Sequence, residues 1–191
     1  MLVAAALAVT AQRGMKPLAT DARTRRFDLL AMPHLDAAFR LARWLTGNTA
    51  DAEDVVQDAY LRAFRYLDAF RGDNFRVWLL TIVRNSFLDW LKDNRSSRQL
   101  FQPAPPDLDW TDPGPSPEAM LLDRIDSETL AALMAQLPAE YREVLILREL
   151  EELSYKDIAA VTDVPPGTVM SRLSRARLAL RKAWTDHEKK S

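Results

Sequence analysis

The sequence predicts an all-α protein with two small helical domains joined by a flexible, Pro-rich acidic linker, and with a helix-turn-helix at the C-terminal end. On both sides of the linker apolar residues recur every three or four positions, the spacing of helices that bury one face. Residues 102–117 (QPAPPDLDWTDPGPSP) interrupt this pattern and hold most of the 11 prolines. With 191 residues, of which 48% are hydrophobic, the chain is long enough to bury two small cores.

Residues 1–24 are predicted to be a disordered leader. Residues 1–11 form an Ala/Leu/Val run, but it is too short to span a bilayer, and no Lys or Arg precedes it as in a signal peptide. A translation start at Met15 would leave this run out of the protein. No other segment has the length and composition of a transmembrane helix, so we expect no membrane insertion.

The first domain is predicted over residues 25–98 and starts with two amphipathic helices. The helix that contains Leu35 and Leu45 is expected to end at Gly47, because glycine adopts the left-handed conformation that closes a helix. Thr49 is predicted to cap the next helix, whose first turn carries carboxylates that the helix dipole favours. The inward positions of this second helix are Val56, Ala59, Tyr60, Ala63 and Leu67.

A loop at residues 68–74 (DAFRGDN) separates the second helix from a long, strongly apolar third helix. Apolar residues at helical spacing over residues 75–91 predict a large buried face for this third helix. Its outward positions are largely basic: Arg76, Arg84, Asn85, Lys92 and Arg95.

The linker is placed at residues 99–120. Between residues 103 and 128 seven acidic residues face a single basic one, Arg124, so the tether is expected to be extended and anionic. Two interpretations are open at this point. The segment is either an ordinary solubilising connection or a tether whose charge has a function.

The second domain is predicted over residues 121–187, and residues from 153 onward have the pattern of a helix-turn-helix. Ser154 and Asp157 form a Ser-x-x-Asp capping box at the start of one helix. The following Pro-Pro pair ends that helix, and Pro166 suits the first turn of the next because its φ is fixed. One side of this last helix is apolar and predicted to be buried, through Val169, Leu173 and Ala176.

The other side of the last helix carries Thr168, Met170, Ser171, Arg172 and Arg175. A helix N-terminus with hydroxyl and guanidinium groups can donate to phosphates and reach guanine edges in the major groove, as a recognition helix must. Residues 154–184 contain six basic and two acidic residues, in a chain whose formal net charge is −1. This segregation indicates a polyanionic partner for one end of the chain. On pattern alone, a basic helix with merely solvated charges is the alternative.

The residue types argue against several kinds of chemistry. The absence of cysteine excludes disulfides, thiolate nucleophiles and Cys-based zinc sites, and it fits a reducing cytoplasm. His34 and His187 lack the spacing of a metal-ligand pair, so we expect no catalytic set, no metal and no cofactor. One enzymatic alternative stays open. Glu53, Asp54 and Asp58 could bind Mg²⁺ as in all-α nucleotide pyrophosphatases, provided that a second acidic helix faces them.

Three motifs together resemble the extracytoplasmic-function (ECF) sigma factors of the sigma-70 family, which are promoter-recognition subunits of bacterial RNA polymerase. The motifs are residues 51–65 (DAEDVVQDAYLRAFR), residues 70–85 (FRGDNFRVWLLTIVRN) and residues 137–177 (LPAEYREVLILRELEELSYKDIAAVTDVPPGTVMSRLSRAR). Each is moderately specific alone, and the three in this order and spacing are highly specific. The resemblance implies that the first domain is sigma region 2, that the second is sigma region 4, and that the protein is not an enzyme.

By this resemblance, region 2 docks on the clamp helices of the polymerase β′ subunit. The docking residues would be Asp54, Gln57, Asp58 and Leu61. Acids beside exposed apolar side chains suit a basic coiled-coil partner, because they combine electrostatic steering with burial. For the nearby Asp51 and Glu53 we prefer a simpler role, which is to complement the helix dipole.

The resemblance also assigns recognition of the minus-ten (−10) promoter element to region 2. The loop at residues 68–74 would capture an unstacked base, with Phe70, Arg71 and Asn74 as candidates. The phosphates of the adjacent strand would be held by Arg84, Lys92 and Arg95.

Region 4 would bind the minus-thirty-five (−35) element. The candidates on the last helix are Thr168, Met170, Ser171, Arg172, Ser174 and Arg175, and those for the DNA backbone are Arg148, Tyr155 and Lys156. Met170 stands where the family more often has a basic or polar residue. A methionine can touch a thymine methyl but cannot read guanine.

The partners implied are core RNA polymerase (its β′ clamp helices and β flap), promoter DNA and an anti-sigma factor, in the cytoplasm. In the family the tether threads through the RNA-exit path, and its acidity here fits mimicry of a nucleic-acid chain. The competing interpretation is a helix-turn-helix regulator that binds DNA without polymerase. That interpretation leaves the first domain and the tether unexplained.

Overall fold

The computed structural model describes residues 17–94 and 127–189, and every regular element in these two ranges is a helix. The chain divides into two compact units, Met1–Asp93 and Asn94–Ser191. The predicted all-α class with two helical domains is confirmed. Residues 1–16 of the predicted leader, the predicted linker at residues 99–120 and the candidate Arg95 lie outside the described residues.

Within residues 17–94 the first unit has four α-helices and two short 3₁₀ turns. In chain order these are α1 (Pro17–Ala31), a 3₁₀ turn (Met32–His34), α2 (Leu35–Thr46), α3 (Thr49–Arg65), a second 3₁₀ turn (Leu67–Ala69) and α4 (Phe75–Asp93). Helices α2, α3 and α4 pack against one another around a core of small and aliphatic residues. These three are the helices that the sequence pattern predicted.

Helix α1 corrects the predicted boundary of the leader, because residues 17–24 belong to this helix. Its buried anchors are Phe27 and Ala31. The ring of Phe27 packs edge-on against Tyr60 and Phe64 of α3, with centroids 5.9 and 5.3 Å away. Two buried residues one turn apart make a weak periodic signal, so the sequence pattern did not reveal the helix.

The turn between α2 and α3 confirms one predicted terminus and corrects another. Gly47 adopts the left-handed conformation, with φ at +87°, and closes α2 as expected. The N-cap of α3 is Asn48 and not Thr49, which is the first residue of the helix. The Asn48 side chain accepts a hydrogen bond from the backbone N–H of Asp51 at 2.9 Å. Both residue types cap helices well, and Asn48 has the extended backbone that the cap position requires.

A buried hydrogen bond ties α3 to the end of α1. Tyr60 is buried, and its hydroxyl donates to the carbonyl oxygen of Ala31 at 3.0 Å. Burial raises the pKa of Tyr60 well above its ordinary value, with a further contribution from the charge of Asp36. The phenol is therefore a neutral donor throughout the physiological pH range.

The second unit contains α5 (Ser127–Ala135), α6 (Ala139–Leu145), a π-helical turn (Ile146–Leu150), α7 (Tyr155–Thr162) and α8 (Pro166–Glu188). Its core is formed where α6 and α7 pack against α8. The predicted inward positions of α8, Val169, Leu173 and Ala176, are all buried. Beneath them, α6 and the π-helical turn bury Val144 and Leu147.

No helix within residues 17–94 or 127–189 combines the length and apolar character needed to cross a membrane.

Replacing Tyr60 by Phe removes the buried hydrogen bond between α3 and Ala31 without changing the ring. We expect the first unit to lose about 1 kcal/mol of stability, the net value of a typical buried hydrogen bond. Urea unfolding followed by circular dichroism measures this loss. The matched control is Tyr66→Phe at a side chain that is 55% exposed, where a change within about 0.5 kcal/mol is expected. Equal effects at both positions would contradict the role of this bond.

Candidate nucleic-acid interface

Helices α7 and α8 form the predicted helix-turn-helix. The Ser154 hydroxyl oxygen accepts from the backbone N–H of Asp157 at 3.1 Å and donates to the Asp157 carboxylate at 2.7 Å. The second hydrogen bond of the capping box therefore joins the Ser154 and Asp157 side chains. Asp163 closes α7 in the left-handed conformation, with φ at +54°, which Asp tolerates better than most residues. Pro166 is the first residue of α8, as predicted.

The outer face of the first turns of α8 is nearly free of charge. Gly167, Met170 and Ser171 are exposed, whereas Thr168 and Ser174 are half-buried. A Cβ atom added at Gly167 would meet nothing within 4 Å, so the fold itself does not require glycine there. This face can therefore approach another surface closely with backbone and small side chains.

Arg172 differs from its predicted orientation. Its guanidinium lies 3.7 Å from the Glu140 carboxylate of α6. It follows the buried Val169 by three residues and precedes the buried Leu173, so it lies at the border of the buried face. Arg177 is held similarly, 2.7 Å from the Glu149 carboxylate. Arg175 is half-buried on the same helix.

Arg148, in the π-helical turn, contacts Tyr155, the first residue of α7. The Arg148 guanidinium lies over the Tyr155 ring at 5.2 Å from its centroid and donates to the carbonyl oxygen of Leu153 at 2.9 Å. Both contacts hold the guanidinium in a fixed orientation. Lys156 follows directly and is exposed. The three predicted backbone-contact residues thus occupy one part of the surface.

The predicted docking residues on α3 divide into two groups. Asp54 and Gln57 are exposed, and Leu61 is half-buried. The Asp58 carboxylate instead pairs with Arg62 one turn later, at 2.7 Å. Asp54 and Gln57 are therefore the polar groups of this set most accessible to a partner.

Arg62 also links α3 to α4. It pairs with Asp89 at 2.6 Å, and the Asp89 carboxylate accepts from Lys92 at 3.2 Å. The hydrogen bond from Arg62 holds the pKa of Asp89 below its ordinary value, and Lys92 adds to this effect. Of the predicted phosphate-binding residues, Lys92 is thus already ion-paired, while Arg84 is half-buried on α4.

The loop at residues 68–74 is fixed at both ends. At its start, the Asp68 carboxylate lies 3.5 Å from Arg23 and 3.8 Å from Arg26, both on α1. At its end, the Asn74 side chain accepts from the backbone N–H of Val77 at 3.2 Å and so caps α4. The predicted base-capturing Asn74 therefore has a structural role that the sequence analysis did not identify.

Arg23 is a neighbour of the loop at residues 68–74 that the sequence pattern did not predict. Its guanidinium donates to the carbonyl oxygens of Phe64 and Arg65 at 2.9 and 3.0 Å, in the last turn of α3. It also lies over the Phe64 ring, 5.0 Å from the centroid. These contacts join residues about forty positions apart, so no local spacing signals them.

Phe70 lies between the two fixed ends of the loop and is half-buried. Its ring packs against Phe75 and Trp78, at centroid distances of 5.2 and 5.3 Å. Phe70 also lines an open groove of about 590 Å³ along α1. The groove is lined by Ala22, Arg25, Arg26, Leu29, Leu30 and Phe70. Arg71 is exposed and donates to the carbonyl oxygen of Asp68.

In residues 17–94 and 127–189 the structure brings together no group of three His, Asp or Glu side chains that could hold a metal ion. Asp58 of α3 and Asp89 of α4 are both engaged by Arg62. The alternative of a magnesium site on α3 therefore gains no support from this part of the chain.

Two segments match known protein families. Residues 30–97 match Sigma-70 region 2, and residues 127–180 match Sigma-70, region 4. The RNA polymerase sigma-H factor of Pseudomonas aeruginosa is 39% identical over 174 residues, covering 83% of this chain and 86% of that protein. The ECF RNA polymerase sigma-E factor of Escherichia coli is 35% identical over 144 residues, covering 69% and 73%. For the ECF RNA polymerase sigma factor SigE of Mycolicibacterium smegmatis, 36% identical over 162 residues, the match covers 84% of this chain but only 62% of the relative.

Two solved structures resemble the fold. One is the sigma factor RpoE in complex with the anti-sigma factor NepR from Bartonella quintana, with a TM-score of 0.66 and 28% identity. That match covers 84% of this chain and 98% of the other. The second is CnrH in complex with the cytosolic domain of CnrY, with a TM-score of 0.60 and 27% identity, covering 94% and 96%.

Replacing Ser154 by Ala removes both hydrogen bonds of the cap at the start of α7. We expect the helix-turn-helix to lose about 1 kcal/mol, as for other N-cap deletions. Hydrogen–deuterium exchange of α7 and α8 measures this loss within the second unit alone. Ser171→Ala is the matched control, because Ser171 is exposed in the interior of α8, where the change should stay within about 0.5 kcal/mol. Unchanged protection in Ser154→Ala would contradict the capping role.

Proposed function

The chain belongs to the sigma-70 family as a sigma factor of the ECF type, and we propose that it binds core RNA polymerase and directs promoter-specific initiation of transcription. The observation that carries this proposal is the presence of a region 2 match and a region 4 match in one chain, each on its own helical unit. The first unit melts and reads the −10 element, and the second recognises the −35 element. The protein itself catalyses no bond chemistry.

Docking on the β′ clamp helices uses the exposed side of α3. Asp54 and Gln57 provide accessible polar groups there, and Leu61 provides apolar surface beside them. Because Asp58 is paired with Arg62, it contributes less free charge than Asp54. Its role is to orient Arg62, whose bonds also reach α4. The acids on this side steer a basic coiled coil, and the apolar contact holds it.

Reading of the −10 element uses the loop anchored by Arg23 and Asn74. Unstacking a base costs a few kcal/mol of free energy. Stacking on an aromatic ring and attraction to nearby cations can offset this cost. Phe70 supplies the face, and Arg25 and Arg26 line the adjoining groove, where a phosphate is attracted. Arg71 is exposed at the rim of this loop.

Binding of the −35 element uses the first turns of α8 in the major groove. The small and uncharged outer face at Gly167 and Ser171 lets the helix approach base edges closely. Arg148 of the π-helical turn and Tyr155 and Lys156 of α7 contact the DNA backbone, with Arg148 already oriented by its two intramolecular contacts. Phosphate contacts fix the register, and α8 reads the sequence.

We extend the proposal to control by an anti-sigma factor, which would cover one or both DNA-binding faces. It is supported by the similarity to a sigma factor whose structure was solved with its anti-sigma factor bound. The β flap of the polymerase is the second docking partner, through region 4, and the acidic linker follows the RNA-exit path. The protein acts in the cytoplasm, where transcription takes place.

The proposal is tested by run-off transcription with purified core RNA polymerase, this protein and genomic fragments of its host. We expect discrete start sites. The double variant Asp54→Arg/Gln57→Ala should reduce these transcripts at least about tenfold, as expected for two residues near the centre of an interface. The matched control is Glu53→Arg, which changes the charge in the same way at the neighbouring exposed position.

Two results would contradict this proposal. A double variant as active as the control would exclude the assigned face of α3. Operator-specific DNA binding by the protein alone, with no promoter-specific transcript in the presence of core polymerase, would favour a helix-turn-helix regulator that acts without polymerase.

Replacing Phe70 by Ala should weaken binding of the holoenzyme to a single-stranded −10 oligonucleotide about tenfold, the value of one lost stacking contact. Fluorescence anisotropy of a labelled non-template strand measures this, and binding to a −35 duplex should not change. Phe70→Tyr keeps the aromatic face and should retain binding. Tyr66→Ala, an exposed aromatic near the same loop, serves as the control. Equal losses in Phe70→Ala and Tyr66→Ala would contradict the assignment.

A further inference from the structure

Helix α8 exposes a large apolar side chain on the face that is proposed to enter the major groove. Met170 is 56% exposed, more than any other large apolar side chain among the described residues of the second unit. It lies on the same side as Gly167, Ser171 and Ser174, one turn from each of the outer two. The core of the unit is completed by Val169 and Leu173, so folding does not require an apolar residue at position 170.

Two guanidinium groups on the flank of α8 are paired with carboxylates outside this face. Arg172 lies 3.7 Å from Glu140, and Arg177 lies 2.7 Å from Glu149. A bidentate contact with guanine needs a guanidinium that can turn both donors to the base edge. With these two groups held at carboxylates of α6 and of the π-helical turn, the centre of the face offers van der Waals contact and hydroxyl groups.

The hydroxyl group of Ser171, next to Met170, is left as a hydrogen-bond acceptor. Ser171 donates its single O–H to the carbonyl oxygen of Thr168 at 3.0 Å. Its remaining lone pairs can accept from an amino group of adenine or cytosine, but it has no second proton for a guanine acceptor. An acceptor next to a methionine therefore suits an A·T pair, in which the adenine amino group can donate to Ser171 and the thymine methyl group is the complementary apolar feature.

We infer that Met170 is a specificity-determining residue that contacts the C5-methyl group of a thymine in the −35 element. This inference rests on the proposed function and deepens it, because it names the chemical group that the exposed methionine reads. The thioether chain is flexible and polarisable, so it can cover a methyl group without a fixed geometry. The contact reads thymine against cytosine and against uracil by the methyl group alone.

The test uses the complete holoenzyme and a promoter obtained from the run-off experiment. Each thymine of the −35 region is replaced, one at a time, by deoxyuridine, which deletes the methyl group and changes no hydrogen-bonding group. We expect one replacement to weaken promoter binding three- to fivefold with the natural protein, the value of one buried methyl group. With Met170→Ala the same replacement should have no effect.

Two further variants separate this contact from general effects on α8. Leu178→Ala removes the other exposed apolar side chain of this helix, two turns later, and should keep the sensitivity to deoxyuridine. Met170→Gln keeps the length of the side chain and should lose it. Thermal unfolding of Met170→Ala should match that of the natural protein, since the residue is exposed.

The outcomes distinguish the inference from the function on which it rests. Promoter-specific transcription without sensitivity to deoxyuridine at any position would overturn the inference alone. Unchanged sensitivity in Met170→Ala would also overturn it. Absence of any promoter-specific transcript with the natural protein would overturn the proposed function and the inference with it.

Discussion

Burial of one face of each helix is the constraint on which the rest of this structure depends. Helices such as the 8-residue α7 are too short to persist alone in water, so they form only when packed. On α8 the buried Val169 and Leu173 leave Met170 outside, and on α3 the buried Val56 and Ala59 leave Gln57 outside. Each candidate contact surface therefore lies on the side of a helix opposite its buried face. A substitution in the core can displace a contact residue without touching it.

Ion pairs within each unit then decide which of the exposed charges can serve a partner. Arg62 connects Asp58 with Asp89, and Arg172 is held beside Glu140. Ion pairs between side chains this exposed contribute little to stability. They nevertheless fix the orientation of the two side chains and leave less of their charge available to a partner. The pairing of Asp58 and of Arg172 with these partners could not be read from sequence spacing alone. The structure reduces the set of available charges to the side chains that lack such a role, of which Asp54 is the clearest example.

Periodic features of this chain could be predicted from sequence, and long-range ones could not. The buried positions of α8, the left-handed Gly47 and the start of α8 at Pro166 follow from local rules and are confirmed. Helix α1 was missed because, over its residues 22–31, only Phe27 and Ala31 are buried. One of its polar contacts joins Arg23 to carbonyl oxygens at the end of α3, and no spacing in the sequence encodes that pairing. The orientation of Arg172 likewise depends on a carboxylate from another helix.

The contacts of α1 explain how a loop can be both fixed and able to receive a base in the proposed function. Asp68 is held by α1 at one end of the loop, and Asn74 caps α4 at the other, so the backbone between them has little freedom. The Phe70 ring packs against Phe75 and Trp78 and also lines the groove. An incoming base can stack on the side of the groove while the ring keeps its two aromatic neighbours. The entropic cost of ordering the loop then arises during folding. It therefore does not reduce the affinity for the melted strand.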